Sequence, residues 1–90
     1  MPTKKDQSRT EKFASDLDIL AAALAVHVGR AQSTVVRWAT GSGDTLSRLK
    51  SGNHTITAER IDRILTWFDQ NWAEDLEWPT SVERPSRRAA

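Results

Sequence analysis

An all-α fold of four to five helices in a compact domain, followed by an extended C-terminal tail, is what this sequence predicts. Three observations carry that expectation. Apolar residues recur at three- and four-residue steps through Phe13 to Val28 and again through Ala58 to Trp72, as a helix face requires. Glycines at 29, 41, 43 and 52 punctuate the chain between and beyond those runs, and no stretch alternates with the period of two expected of a strand. Ninety residues suffice for one hydrophobic core and are too few for two.

In chain order, Met1 to about Ser8 is polar and uncapped and reads as a flexible basic arm over residues 1–9. The first helix is expected from near Thr10 or Ser15 to Val28. Phe13, Leu17, Leu20, Leu24 and Val28 form its main face; Ile19, Ala23 and Val26 form a smaller second face, as in a helix packed on two sides. Gly29 ends it. The second helix runs from Gln32 to about Ala39 and turns Val35, Val36 and Ala39 inward. The third runs from about Gly43 to Lys50, with Ser42 as N-cap, Leu46 and Leu49 inward and Gly52 as its stop. Thr57 caps the fourth and Glu59 suits its N-terminal dipole, while Ala58, Ile61, Ile64, Leu65, Phe68 and Trp72 form its core stripe. Pro79 and Pro85 make residues 79–90 an extended tail and leave 10–78 as the folded domain.

Composition narrows the function. The chain has no cysteine, so neither a disulfide framework nor a thiolate metal site is available. Its longest apolar run, Ile19 to Val28, contains His27 and falls short of the ~20 residues a membrane span needs. A signal-peptide layout is missing too, which makes a cytoplasmic protein the expectation. His27 and His54 stand apart from any carboxylate pair or nucleophile at a suggestive spacing, and the GSG at 41–43 is too short for a phosphate-binding loop. No enzyme activity, metal, cofactor or small-molecule ligand is therefore expected.

Charge is spread unevenly. The net value is only +1, but residues 30–56 carry Arg30, Arg37, Arg48 and Lys50 against Asp44, a balance of +3. Residues 57–83 carry Glu59, Asp62, Asp69, Glu74, Asp75, Glu77 and Glu83 against Arg60 and Arg63, a balance of −5. One side suited to phosphates and one turned away from them would give this pattern.

The basic segment holds the block AQSTVVRWATGSGDTLSRLKSG, from Ala31 to Gly52, followed by TITAERIDRIL. It reads as helix, tight turn and short helix, and it resembles the helix-turn-helix block of Cro and phage-repressor type (XRE-like) DNA-binding domains. Thr45, Leu46, Arg48, Leu49, Ser51 and Gly52 occupy the places where that family carries a hydroxyl residue, an apolar residue, Arg or Gln, a second apolar residue and an Asn-Gly style stop. The similarity covers roughly Asp16 to Trp72. The chain departs from the pattern at Val36, where the family has a small residue, and at Thr40, where it has the turn glycine, with Gly41 one place later. It is thus similar to a divergent member.

The resemblance implies a lambda-repressor-like domain and a bacterial or phage transcriptional regulator, such as a repressor, that is nucleoid-associated and binds double-stranded DNA as a homodimer. The reader helix at about 43–50 would enter the major groove. Gly43, Asp44, Ser47 and Arg48 are its base-readout candidates. Arg48 suits a bidentate pair with guanine, with a phosphate contact as its other role; Asp44 suits either a cytosine amino group or the helix dipole. Gln32, Ser33, Arg37, Ser42, Thr45, Lys50, Asn53, His54 and Thr55 are the phosphate candidates, with a thymine methyl also open to Thr45. Lys4, Lys5 and Arg9 read either as an arm trailing along a groove or as a plain tail. A second register places the motif at about 20–39, with Ser33 to Trp38 as reader. It leaves the TLSRLKSG block without a purpose.

Four tryptophans in a chain with no tyrosine need a place. Trp38 lies on the reader scaffold. Trp67 lies off the core stripe and Trp78 lies in LEWP beyond the helix, which points to a tail folded over the domain or to a two-fold interface of Trp67, Trp72, Leu76 and Trp78. A protein-interaction adaptor or anti-activator that docks through Trp67, Leu76 and Trp78 is the alternative function.

Overall fold

The computed structural model describes residues 4–52 and 54–85, with side chains from Gln7 onward, and within them the chain forms four α-helices and no strand. They are α1 (Lys4–Val28), α2 (Gln32–Thr40), α3 (Thr45–Lys50) and α4 (Ala58–Asn71). None is long and apolar enough by itself to cross a membrane.

Helix α1 begins at Lys4, ahead of the Thr10 or Ser15 start expected from the sequence, so residues 4–9 of the expected arm are helical. Docking of the next turns explains the extension. Thr10 is buried, and its hydroxyl accepts the Ile56 amide at 3.2 Å, while Phe13 and Ala14 are buried beside it. Once those turns are fixed, each added residue gains a hydrogen bond without a new nucleus.

The buried face of α1 comprises Phe13, Leu17, Leu20 and Leu24 as expected, widened by Ala14, Ala21 and Ala25. Of the expected second apolar face only Ala23 is half-buried against the core; Val26 is 85% exposed, Ile19 37%, and Val28 at the end of the main stripe 44%. Helices α2, α3 and α4 all pack on α1, and the alanines flanking its leucine stripe let that single broad face receive them. Gly29, at φ 71°, takes the left-handed conformation that ends α1, and the chain turns by 115° into α2.

Val35 and Val36 of α2 are fully buried, and α3 adds Leu46 and Leu49. Thr57 caps α4, its side chain accepting the Arg60 amide at 3.2 Å. Ile61, Ile64, Leu65, Phe68 and Trp72 are buried on α4 as expected. Ala58, expected on that stripe, is exposed in the first turn, while Ile56 in the preceding loop is buried.

The tail does not extend away from the domain. Trp72 donates its indole N–H to the Leu76 carbonyl at 2.7 Å, and Trp78 donates to the Val82 carbonyl at 2.8 Å. The two rings lie 4.9 Å apart, the Arg84 guanidinium sits 4.8 Å over Trp78, and Arg84 pairs with Asp69 of α4. Val82 is buried, so the packed unit runs beyond residue 78 to at least Arg84. Proline restricts where the chain goes without forbidding its return: the Val82 amide bonds to the Pro79 carbonyl at 3.2 Å and closes a turn. Buried indole N–H groups need acceptors, and the tail's own carbonyls supply them.

Leu49→Ala should cost roughly 2 to 5 kcal/mol through loss of contacts and cavity formation, read by denaturant melting. Trp78→Ala should also lower the melting temperature, because the ring packs against Trp72 and anchors Arg84. An unchanged melt would mean that the tail does not pack as described.

Candidate nucleic-acid interface

A threonine and a glycine close the turn between α2 and α3. The Thr40 hydroxyl lies 2.8 Å from the Val36 carbonyl, 2.9 Å from the Ser42 carbonyl and 3.0 Å from the Thr45 hydroxyl, and it accepts the Ser42 amide at 3.3 Å. Gly41, at φ 90°, then takes the left-handed conformation and donates its N–H to the Arg37 carbonyl. Gly43 sits where a side chain would meet the Ser33 carbonyl at 3.3 Å, so its role is close approach to the start of α2. That packing accounts for Gly43 without a base contact.

Helix α3 is six residues long and hides Thr45, Leu46 and Leu49. Asp44, Ser47, Arg48 and Lys50 are exposed, as the sequence led us to expect of a reader face. Thr45, expected at a phosphate or a thymine methyl, is instead buried and bonded to Ser42 and Thr40. The N-cap position belongs to Asp44 rather than Ser42, without a side-chain cap bond. The Ser42 hydroxyl donates to the Asp44 carboxylate and is not a free phosphate donor. That bond, followed by the nearby Arg48 charge, holds the Asp44 carboxyl below the ordinary range.

Two cations of α3 carry internal partners. Arg48 lies 3.4 Å from Asp44 one turn earlier, which leaves most of its donors open among the described residues. Lys50 reaches Asp18 of α1 at 3.0 Å. The same carboxylate accepts from Gln32 at 2.6 Å, and the Asp18 carbonyl takes a second bond from that amide. Gln32 and Lys50, both expected at phosphates, are therefore tied to α1. A carboxylate at the meeting point of α1, α2 and α3 captures whichever donors lie nearest.

His54 and Thr55 are exposed in the loop after α3 and share a cleft of about 140 Å³ with Arg48 and Arg60. Arg60 also donates to the Thr40 carbonyl at the end of α2. Ser33 and Arg37 are exposed on α2, and Trp38 is 45% exposed beside them. Arg30 and Arg37 have no carboxylate partner among the described residues. Asn53, the side chains of Lys4 and Lys5, and the end of the tail from Ser86 lie outside the described residues. Arg9 is half-buried on α1, within a helix rather than an arm.

The aromatic candidates for a two-fold contact are mostly spent inside the chain. Trp72 is buried, the Leu76 carbonyl binds it, and Trp78 packs against it with its ring tilted by 60°. Trp67 is half-buried, edge-on to Phe68 at 5.1 Å, and lines a shallow groove with Ala39, Glu59 and Asp62.

Sequence reasoning missed Asp18, Thr40 and Arg60. Thr40 had a signal, a hydroxyl in the turn just before a glycine. Asp18 had none, since its partners lie 14 and 32 residues away. Comparison with protein-family models, curated proteins and solved structures finds no match to this chain.

Two expectations follow from this geometry. Gly41→Ala should cost roughly 1 to 2 kcal/mol from the backbone alone, because nothing crowds its Cβ. Calorimetry would measure it, and a neutral result would argue against the left-handed turn. The Asp18 carboxyl is held below its ordinary value, first by the Gln32 hydrogen bond and then by Lys50, against the opposing effect of burial. A carboxyl with a lowered folded pKa contributes stability that is complete above its unfolded pKa and lost as pH falls through the folded one. Stability should therefore decline as pH drops below about 4, and Asp18→Asn should flatten that decline.

Proposed function

We infer that this chain is a sequence-specific, duplex-DNA-binding transcriptional regulator of the Cro and phage-repressor (XRE-like) type, working in the cytoplasm on the nucleoid. One observation carries the reading. The short α3 buries its two leucines against the domain while turning Asp44, Ser47 and Arg48 outward, beside a cleft edged by His54, Thr55 and Arg60. A helix held so that only polar and cationic groups face out fits the major groove, and the loop beside it suits the phosphates that flank the groove.

The charge pattern supports the same orientation. Arg30 and Arg37, without a carboxylate partner among the described residues, lie in the basic segment, and the acidic excess lies on α4 and the tail, where it would point away from DNA. Arg48 reads a base, since its guanidinium keeps free donors beyond the contact to Asp44. The register with α3 as reader accounts for the TLSRLKSG block. The regulator acts as a homodimer, which doubles a short half-site; with Trp72 and Trp78 engaged internally, half-buried Trp67 is the aromatic of that candidate set left for the contact. The adaptor reading loses support for the same reason, because Leu76 and Trp78 pack onto their own domain.

Selection from random duplexes followed by sequencing tests the reading and should return a single preferred motif. Arg48→Ala should weaken binding to that motif by about 1 to 3 kcal/mol while random-duplex binding falls much less. Equal losses would make Arg48 a phosphate contact. Relaxed specificity in Arg37→Ala, with none in Arg48→Ala, would move the reader to α2. Sedimentation equilibrium at micromolar concentration should give a dimer that Trp67→Ala weakens; a monomer bound one copy per site would contradict the homodimer.

A further inference from the structure

Asp18 projects from α1 to the place where α2 begins and α3 ends. One carboxylate oxygen accepts from Gln32 Nε2 at 2.6 Å and the other from Lys50 Nζ at 3.0 Å, while the Asp18 carbonyl accepts from the same Gln32 amide at 3.0 Å. Both donors are of the kind a DNA backbone recruits: an amide at the first residue of one helix and an ammonium at the last residue of the next. Fold stability gives a weak reason for the ion pair. The Lys50 and Asp18 side chains are 51% and 42% exposed, and pairs so open to water contribute little.

A wet carboxylate has a larger consequence on a face that meets a polyanion. It neutralises the ammonium before any phosphate arrives and occupies the position a phosphate oxygen would take. Resting on the DNA-binding reading above, we propose that Asp18 is an internal phosphate mimic that sets how tightly this protein holds DNA, by keeping Lys50 and Gln32 engaged within the domain. Phosphate contacts carry no base information, so Asp18 lowers affinity for every sequence by the same factor and leaves the preferred sequence unchanged. Arg48, paired through Asp44 on the adjoining edge, stays responsible for the choice of base.

Asp18→Asn removes the charge and keeps an acceptor oxygen for Gln32. Fluorescence anisotropy with a labelled random-sequence duplex and with the selected duplex, over a range of salt, reads the effect. The variant should bind both duplexes about three- to tenfold tighter at low salt, and its plot of log affinity against log salt should steepen by about one, as one more phosphate is neutralised. Adding Lys50→Gln to Asp18→Asn should cancel both changes. Asp18→Ser, neutral and smaller, makes the same comparison if Asn at this position prevents folding. Unchanged or weaker binding by a folded variant would overturn the proposal and leave the DNA reading standing. A gain confined to the selected duplex would also overturn it, because Asp18 would then act in readout. If neither the wild type nor the variant binds duplex at low salt, the DNA reading fails and this proposal fails with it.

Discussion

The exposed face of α3 is placed by the turn that precedes it, and that turn is closed by the Thr40 hydroxyl. A six-residue helix has too few internal hydrogen bonds to stand alone, so its direction comes from outside. Thr40 ties the last turn of α2 to the Ser42 backbone and the Thr45 side chain, and Gly41 supplies the left-handed step. Arg60 then bonds the Thr40 carbonyl and brings the start of α4 to the same corner. Leu46 and Leu49 hold the helix down once the turn has aimed it. Turn and leucines together leave Asp44, Ser47 and Arg48 in the open.

Charge at this face is governed by internal partners as much as by cation number. Asp44 lies against Arg48 and Asp18 against Lys50, while Arg30 and Arg37 have no carboxylate partner among the described residues. A net balance of +3 over residues 30–56 therefore overstates the attraction to phosphate, because it leaves out the carboxylate that α1 contributes. On the proposed DNA-binding function, a protein organised this way would attract DNA modestly at long range and rely on geometry for its final grip.

Much of the fold was legible because it is written in local periodicity. The Phe13, Leu17, Leu20 and Leu24 stripe, the bounds of α2 and the Thr57 cap all follow from neighbours three or four residues apart. What escaped is what distant segments decide. Ile19 and Val26 look like a second face, yet the elements that pack on α1 meet its leucine stripe and leave these two residues exposed. The early turns of α1 are docked by a Thr10 to Ile56 bond across 46 residues. Trp78 invites an intermolecular reading until its N–H is found on Val82. At the candidate site the exposed residues of α3 were legible from where the leucines fall. The capture of Gln32 and Lys50 by Asp18, and the burial of Thr45 by a hydroxyl partner, were not, because polar pairing across helices leaves no period in the sequence.

Amide chemical-shift mapping during titration with a selected duplex distinguishes a DNA-facing α3 from one that stands apart from the duplex. The largest perturbations should cluster at Asp44, Ser47 and Arg48, extend to Ser33, Arg37, His54 and Thr55, and spare the exposed face of α4 and the tail around Trp78. Perturbations centred on α4 or the tail, with α3 unmoved, would contradict a DNA-facing α3.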